Sequence, residues 1–167
     1  MTLAEAAARA DELAENGSAQ ELASLRTEWD EELEAAARSA DFRERALAFR
    51  AIGVFRWRAK EELLRRGLDD QSPAARGSAL LSVELLSRDH PSTVNSVRAL
   101  LHKMLADEDE NPAVRRLAVL ALKNGSPQRD TIVLLEGVAA DDAADADLQR
   151  AAGSVAQGLK RKASARR

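Results

Sequence analysis

The stretch NPAVRRLAVLALKNG, Asn111 to Gly125, decides how this chain is read. Asn111 followed by Pro112 is a helix start: asparagine caps well, and proline suits the first helical position because its missing N–H would have no partner there anyway. On a helical wheel Leu120, Leu117, Ala121, Val114, Ala118 and Leu122 sweep an arc of roughly 200 degrees, with Arg115, Arg116 and Lys123 opposite. That arc is too wide for a helix lying on a surface. It implies packing on two sides, by a partner helix and by neighbours along a stack. Asn124-Gly125 supplies an expected left-handed stop.

The same arrangement recurs along the chain. Phe42-Arg43-x-x-Ala46, Ala75-Arg76-x-x-Ala79, Val114-Arg115-x-x-Ala118 and Leu148-Gln149-x-x-Ala152 are separated by 33, 39 and 34 residues. Between successive copies there is room for one more helix, at residues 56–68, 91–106 and 127–140, so the repeated unit is a helical hairpin. Alanine at a constant register lets stacked helices approach closely. The first interval requires a bend near Gly53 to Trp57, because no other loop signal separates Phe42 from Arg66. Upstream, Leu3, Ala6, Ala7, Ala10, Leu13 and Ala14 form one apolar stripe; Leu22, Leu25, Trp29, Leu33 and Ala36 form another. Thr2 with Glu5 and Ser18 with Glu21 have capping-box spacing. Ser72-Pro73, Ser126-Pro127 and Pro91 mark further helix starts. Strand signals are nearly absent, with no tyrosine and three phenylalanines, so the expected fold class is all-α.

DDQSPAARGSALLSVELL and DEDENPAVRRLAVLALKNG resemble HEAT-type repeats, whose second helix opens after an acidic turn with Pro, Val-Arg and spaced alanines and leucines. The likeness is specific for Ala74 to Leu86 and Asn111 to Gly125 and weaker at Phe42 to Phe55 and Asp147 to Leu159. Leu148 is followed by Gln149 instead of arginine, and Ala75 replaces the commoner valine. The resemblance covers about residues 20–160 and implies a short right-handed α-α superhelix of about four hairpins; residues 1–160 are expected to form one domain with an N-terminal capping helix, and residues 161–167 a basic tail. It also implies a concave face, lined by second helices, that binds proteins. HEAT-like alkylpurine DNA glycosylases add a tryptophan-rich stretch with a catalytic aspartate, which is missing here, so no enzymatic activity and no cofactor are expected.

Composition narrows the classes further. The 167 residues are 45% hydrophobic, enough for a continuous core, and the formal net charge of -3 gives no global basic field for nucleic acid. Charge is uneven: residues 1–41 hold eleven acids against three bases, residues 42–66 eight bases against three acids, and residues 151–167 five bases and no acid. The absence of cysteine fits a reducing compartment, the first residues lack the order of a signal peptide, and no apolar run reaches membrane-spanning length; a cytoplasmic location is expected. Twenty arginines against five lysines suggest a GC-rich, bacterial coding genome.

Arg43, Arg76 and Arg115 share one register, with Arg116 and Arg150 one position further round. Two readings compete for this ladder. The arginines can pair with turn acids such as Asp41, Asp70 and Asp109 and knit adjacent repeats, or they can face a groove and hold an acidic or phosphorylated partner segment. Partner contacts are assigned to Arg76, Arg115, Arg116 and Arg150, then Arg43 and Arg50. The alternative is a nucleic-acid module that contacts the phosphate backbone through arginines, to which the basic run Arg43 to Arg66 with Phe55 and Trp57 would contribute. Against it, Glu44, Glu61 and Glu62 and the acids of residues 28–34 explain that run by intramolecular pairing. A third possibility is that the chain is one piece of a larger assembly, its terminal hairpin stacking on another subunit; by itself a monomer or weak homo-oligomer is expected. His90 and His102 form no metal pair and are expected at the surface, while Trp29 and Trp57 are expected in the core.

Overall fold

The computed structural model describes residues 1–167 as nine α-helices with no strand. They are α1 (Leu3–Glu15), α2 (Ala19–Ala37), α3 (Phe42–Val54), α4 (Glu61–Leu68), α5 (Pro73–Ser87), α6 (Ser92–Ala106), α7 (Pro112–Leu122), α8 (Arg129–Ala140) and α9 (Ala146–Ala165). A 3-10 turn, Arg58–Lys60, precedes α4. The chain divides into two compact units, Met1–Leu86 and Ser87–Arg167.

In the first unit, α1 begins in a complete capping box: Glu5 N–H donates to Thr2 Oγ1 at 3.2 Å, and Thr2 N–H to Glu5 Oε2 at 2.7 Å. Leu3, Ala6, Ala7, Ala10 and Leu13 are its buried face, and α1 packs on α2 and α3. The helix stops in a Schellman turn, with Ser18 N–H donating to Leu13 O, Gly17 N–H to Ala14 O, and Gly17 at φ 71°. That turn fixes Ser18 at φ -81°, ψ 64°, outside the extended region, so its hydroxyl makes none of the expected capping-box bond. Trp29 and Leu33 of α2 are buried, as are Phe49, Ile52 and Phe55 around α3 and Trp57 beyond it.

The bend expected at Gly53 to Trp57 is present and has the same Schellman form: Trp57 N–H donates to Ile52 O, and Arg56 N–H to Gly53 O. Here the left-handed position is occupied by Arg56, at φ 51°. Its side chain is engaged locally, with Nη1 on Gly53 O at 3.1 Å and 3.3 Å from Asp11 Oδ1. Arg26 Nε and Nη2 hold the Phe55 and Arg56 carbonyls, each at 2.8 Å. Gly53 serves a different purpose. A Cβ there would lie 2.8 Å from Ser82 Cα, so glycine permits the close crossing of α3 and α5, sealed by Gly53 N–H donating to Ser82 Oγ at 3.0 Å.

In the second unit α6 packs on α7 and α8, and α9 on α7 and α8. Leu101, Leu105, Leu122, Leu135, Leu148 and Leu159 are the largest fully enclosed side chains of its helices. The link from α7 to α8 is pinned to α6: Arg98 Nη2 donates to Asn95 Oδ1 at 2.5 Å and to Ser126 Oγ at 2.6 Å, and Ser126 N–H to Asn95 Oδ1 at 3.0 Å. Because Ser126 is used this way, α8 starts at Arg129, two residues beyond Pro127. Gly125 is not left-handed, contrary to the expected stop. Its lack of a side chain answers to proximity: a Cβ would sit 3.0 Å from Asn95 Oδ1. Helix α9 runs through Lys160, Arg161 and Lys162 to Ala165, and Lys162 Nζ donates to Gly125 O at 2.9 Å.

Candidate functional site

Counting from the capping residues of α3, α5, α7 and α9 gives a common register. Asp41 accepts from Arg43 N–H (2.9 Å), Ser72 Oγ from Ala75 N–H (3.5 Å), Asn111 from Ala113 N–H (2.8 Å) and Asp145 from Leu148 N–H (3.1 Å). Seven residues on stand Ala48, Ala79, Ala118 and Ala152, all wholly enclosed. Four residues on stand Arg45, Arg76, Arg115 and Gln149. In α3 the register is therefore two residues later than the sequence alignment placed it: Phe42 is exposed, Ala46 is half-buried, and Arg45 holds the place given to Arg43.

Those four side chains share one task. Arg45 Nη1 donates to the Ser39 and Ala40 carbonyls at 3.0 and 3.1 Å, Arg76 Nη1 to Asp70 O at 2.7 Å, and Arg115 Nη2 to Leu105 O at 2.7 Å. Gln149 Nε2 donates to Asp141 O. Each ties its helix to the end of the preceding helix or the loop that follows it, satisfying carbonyls that a helix terminus leaves without partners. Arg115 is itself buried.

One of these arginines also reaches the loop between α4 and α5 through charge. Arg45 Nε and Nη2 bind Asp70 Oδ2 and Oδ1 at 2.8 and 2.9 Å, a two-pronged pair that leaves the Asp70 carboxylate 9% exposed. Asp70 Oδ1 also accepts from Ser72 N–H at 2.9 Å. The Arg45 hydrogen bonds hold the Asp70 carboxyl below its ordinary value, against an opposing effect of burial. Of the turn acids named from sequence, Asp70 pairs as expected. Asp41 caps its own helix, and Asp109 donates its N–H to Asp107 Oδ1 within the turn.

Of the six arginines assigned to a partner, Arg76 and Arg115 are thus turned inward, and Arg50 is half-buried. Arg43 is exposed with its guanidinium 5.2 Å from the Phe42 ring centre. Arg116 and Arg150 are exposed at equivalent places, five residues beyond the caps of α7 and α9, two helices that pack together. Arg150 lies beside Asp147 of its own helix. In the basic run, Lys60 Nζ bonds Asp30 at 2.6 Å and Glu34 at 2.8 Å, so α2 supplies the neutralising acids. His90 is exposed. His102 is half-buried with Nε2 2.9 Å from Thr131 Oγ1, a partner its sequence context did not suggest. No three His, Cys, Asp or Glu side chains are grouped to hold a metal ion, and no helix is long and apolar enough to cross a membrane.

Sequence reasoning missed a surface depression along α8 and α9. Its larger part, about 620 Å³, is lined by Ile132, Val133 and Ala163 together with Arg129, Lys160 and Arg167. It adjoins a hollow of about 320 Å³ over Ala139, Ala140 and Gly153. Glu136 and Lys160 border both and pair at 2.8 Å. Val133 is 58% exposed. The unbroken apolar run Ile132 to Leu135 was the available signal, since one helix cannot bury all four against one neighbour.

No family model, no curated protein and no solved structure matches this chain.

Proposed function

We propose that this chain is a non-catalytic protein–protein interaction module of HEAT-like hairpins coiled as a short right-handed superhelix. In this reading it works in the cytoplasm and binds an acidic or phosphorylated segment of a partner protein. The observation that carries it is the recurrence of one cap, polar and alanine register in α3, α5, α7 and α9, a pattern that serves regular stacking. With Arg45, Arg76, Arg115 and Gln149 committed to carbonyls, the exposed arginines among those assigned are Arg43, Arg116 and Arg150, of which Arg116 and Arg150 stand at equivalent places on two helices that pack together. A surface preset by stacked helices loses little backbone entropy on binding, and guanidinium groups suit carboxylates and phosphates through paired N–H donors. The test is fluorescence anisotropy with a labelled peptide of glutamate and phosphoserine, comparing the wild type with the Arg116→Glu/Arg150→Glu variant. Binding that the double reversal abolishes, with helicity intact, supports the reading; equal binding by both removes these arginines from the site.

A second reading, contact with a nucleic-acid backbone, draws on the exposed Phe42 beneath Arg43, where charge and an aromatic face coincide. Titration with random-sequence single strands at several salt concentrations separates the two, since phosphate contacts give a steep salt dependence.

A further inference from the structure

The depression on α8 and α9 has a complement elsewhere in the chain. On α2, Asp30 and Glu34 are taken by Lys60, whereas Glu28, Glu31 and Glu32 are exposed and form no ion pair. At spacings of three and four these carboxylates share one helix face, which continues through Ser24 and Glu21. Arg129 and Arg167 at the rim of the larger hollow are likewise exposed and without an acidic partner. The two features match in length: Glu21 to Glu32 and Arg129 to Ala140 each cover about 16 Å of helix. Between the glutamates α2 presents the small Ser24 and Thr27, and Ala139, Ala140 and Gly153 line the smaller hollow, while Ile132, Val133 and Ala163 line the larger. The charges also set a direction. Asp141, Asp142 and Asp145 follow α8 and Lys160 is paired with Glu136, so the cations without an acidic partner are at the Arg129 and Arg167 end, and the acidic part of α2 belongs there.

We infer that the α8–α9 depression is a self-association surface whose occupant is the acidic face of α2 from a second copy of this chain. The contact is heterologous: each copy still offers an unused α2 and an unused depression, so assembly extends by addition of further copies or closes into a ring. A single depression of this size is a small interface and its attraction is mainly charge, so association is weak, concentration-dependent and screened by salt. This goes beyond the proposed peptide binding and uses neither Arg116 nor Arg150, so either can fail alone.

Sedimentation velocity on the full chain tests it. The expected result is a mass that rises above 18.1 kDa with concentration at low salt and returns to it at high salt. Two charge-reversed variants, Glu28→Arg/Glu31→Arg/Glu32→Arg and Arg129→Glu/Arg167→Glu, are each expected to stay monomeric with wild-type helicity, because all five side chains are exposed. Mixed together they are expected to associate again, since each then supplies the surface that the other lost. A mass that stays at 18.1 kDa at every concentration overturns the inference. So does self-association that survives either reversal, or a mixture that remains monomeric.

Discussion

Asp70 receives both Nε and Nη2 of Arg45, at 2.8 and 2.9 Å, while its own backbone carbonyl receives Arg76 Nη1 at 2.7 Å. One loop residue is thus held by the equivalent arginines of α3 and α5. The side-chain bond joins α3 to the loop between α4 and α5, and the carbonyl bond orders the turn before α5. Asp70→Asn keeps the shape, discards the charge and is expected to lower the melting temperature by about 5 °C at neutral pH. The sign of its pH dependence follows from the lowered Asp70 value. The carboxylate's stabilising effect is complete above the ordinary 3.8 and is lost as pH falls from there through the depressed native value. Melting curves of wild type and variant should therefore converge below pH 3.8. A constant gap down to low pH would show that the pair contributes nothing through its charge.

Gly53→Ala places a methyl group 2.8 Å from Ser82 Cα, a backbone atom that cannot move without shifting α5. Overpacking of this kind costs about 1–3 kcal/mol, although alanine is the better helix former. Urea denaturation measures it. A variant as stable as wild type would mean that α3 and α5 do not cross this closely.

Arg56 occupies a left-handed position that disfavours any residue with a Cβ by about 1–2 kcal/mol. Arg56→Ala removes the bond to Gly53 O and the Asp11 pair but retains the strain; Arg56→Gly removes both the contacts and the strain. The glycine variant is expected to be the more stable of the two by about 1 kcal/mol, the reverse of their order inside a helix. Chemical denaturation of the two variants side by side decides it.

Burial pushes the His102 imidazole below its ordinary value, Asp130 acts in the opposite sense, and Arg98 adds to the lowering. The folded chain therefore binds this proton less readily than the unfolded one. His102 stabilises the second unit above pH 6.5, and that stabilisation falls away as pH drops from there towards the native value. His102→Gln, which keeps a donor and an acceptor near Thr131, should flatten the change in melting temperature between about pH 7.5 and 5.5, within the range over which histidine ordinarily titrates. An unaltered slope would assign the pH dependence to other groups.

Much of the helical layout was legible because its signals are local: Pro73 and Pro112 open α5 and α7, the stripes through Leu13 and Leu33 become α1 and α2, and the bend before Trp57 falls where the repeat interval required it. The α3 register was not, because Phe42-Arg43 imitates Val114-Arg115 in residue type and only the cap at Asp41 shows the offset. Gly125 looked like a stop signal and proved to be a point of close approach, which depends on Asn95, thirty residues away in sequence. The direction of the ladder was equally hidden. The acceptors of Arg76 and Arg115 are main-chain carbonyls, which every residue has and no sequence pattern marks.

Substitution of alanine by leucine along the ladder probes the common register most directly. With the register counted from the caps, Ala48→Leu, Ala79→Leu, Ala118→Leu and Ala152→Leu each insert bulk into a wholly enclosed position and should each lose about 1–3 kcal/mol in urea denaturation. Ala46→Leu, at a half-buried site, should lose about 0.5 kcal/mol or less. A tolerant Ala48 beside a sensitive Ala46, or four ladder positions with no shared sensitivity, would contradict a repeated packing register.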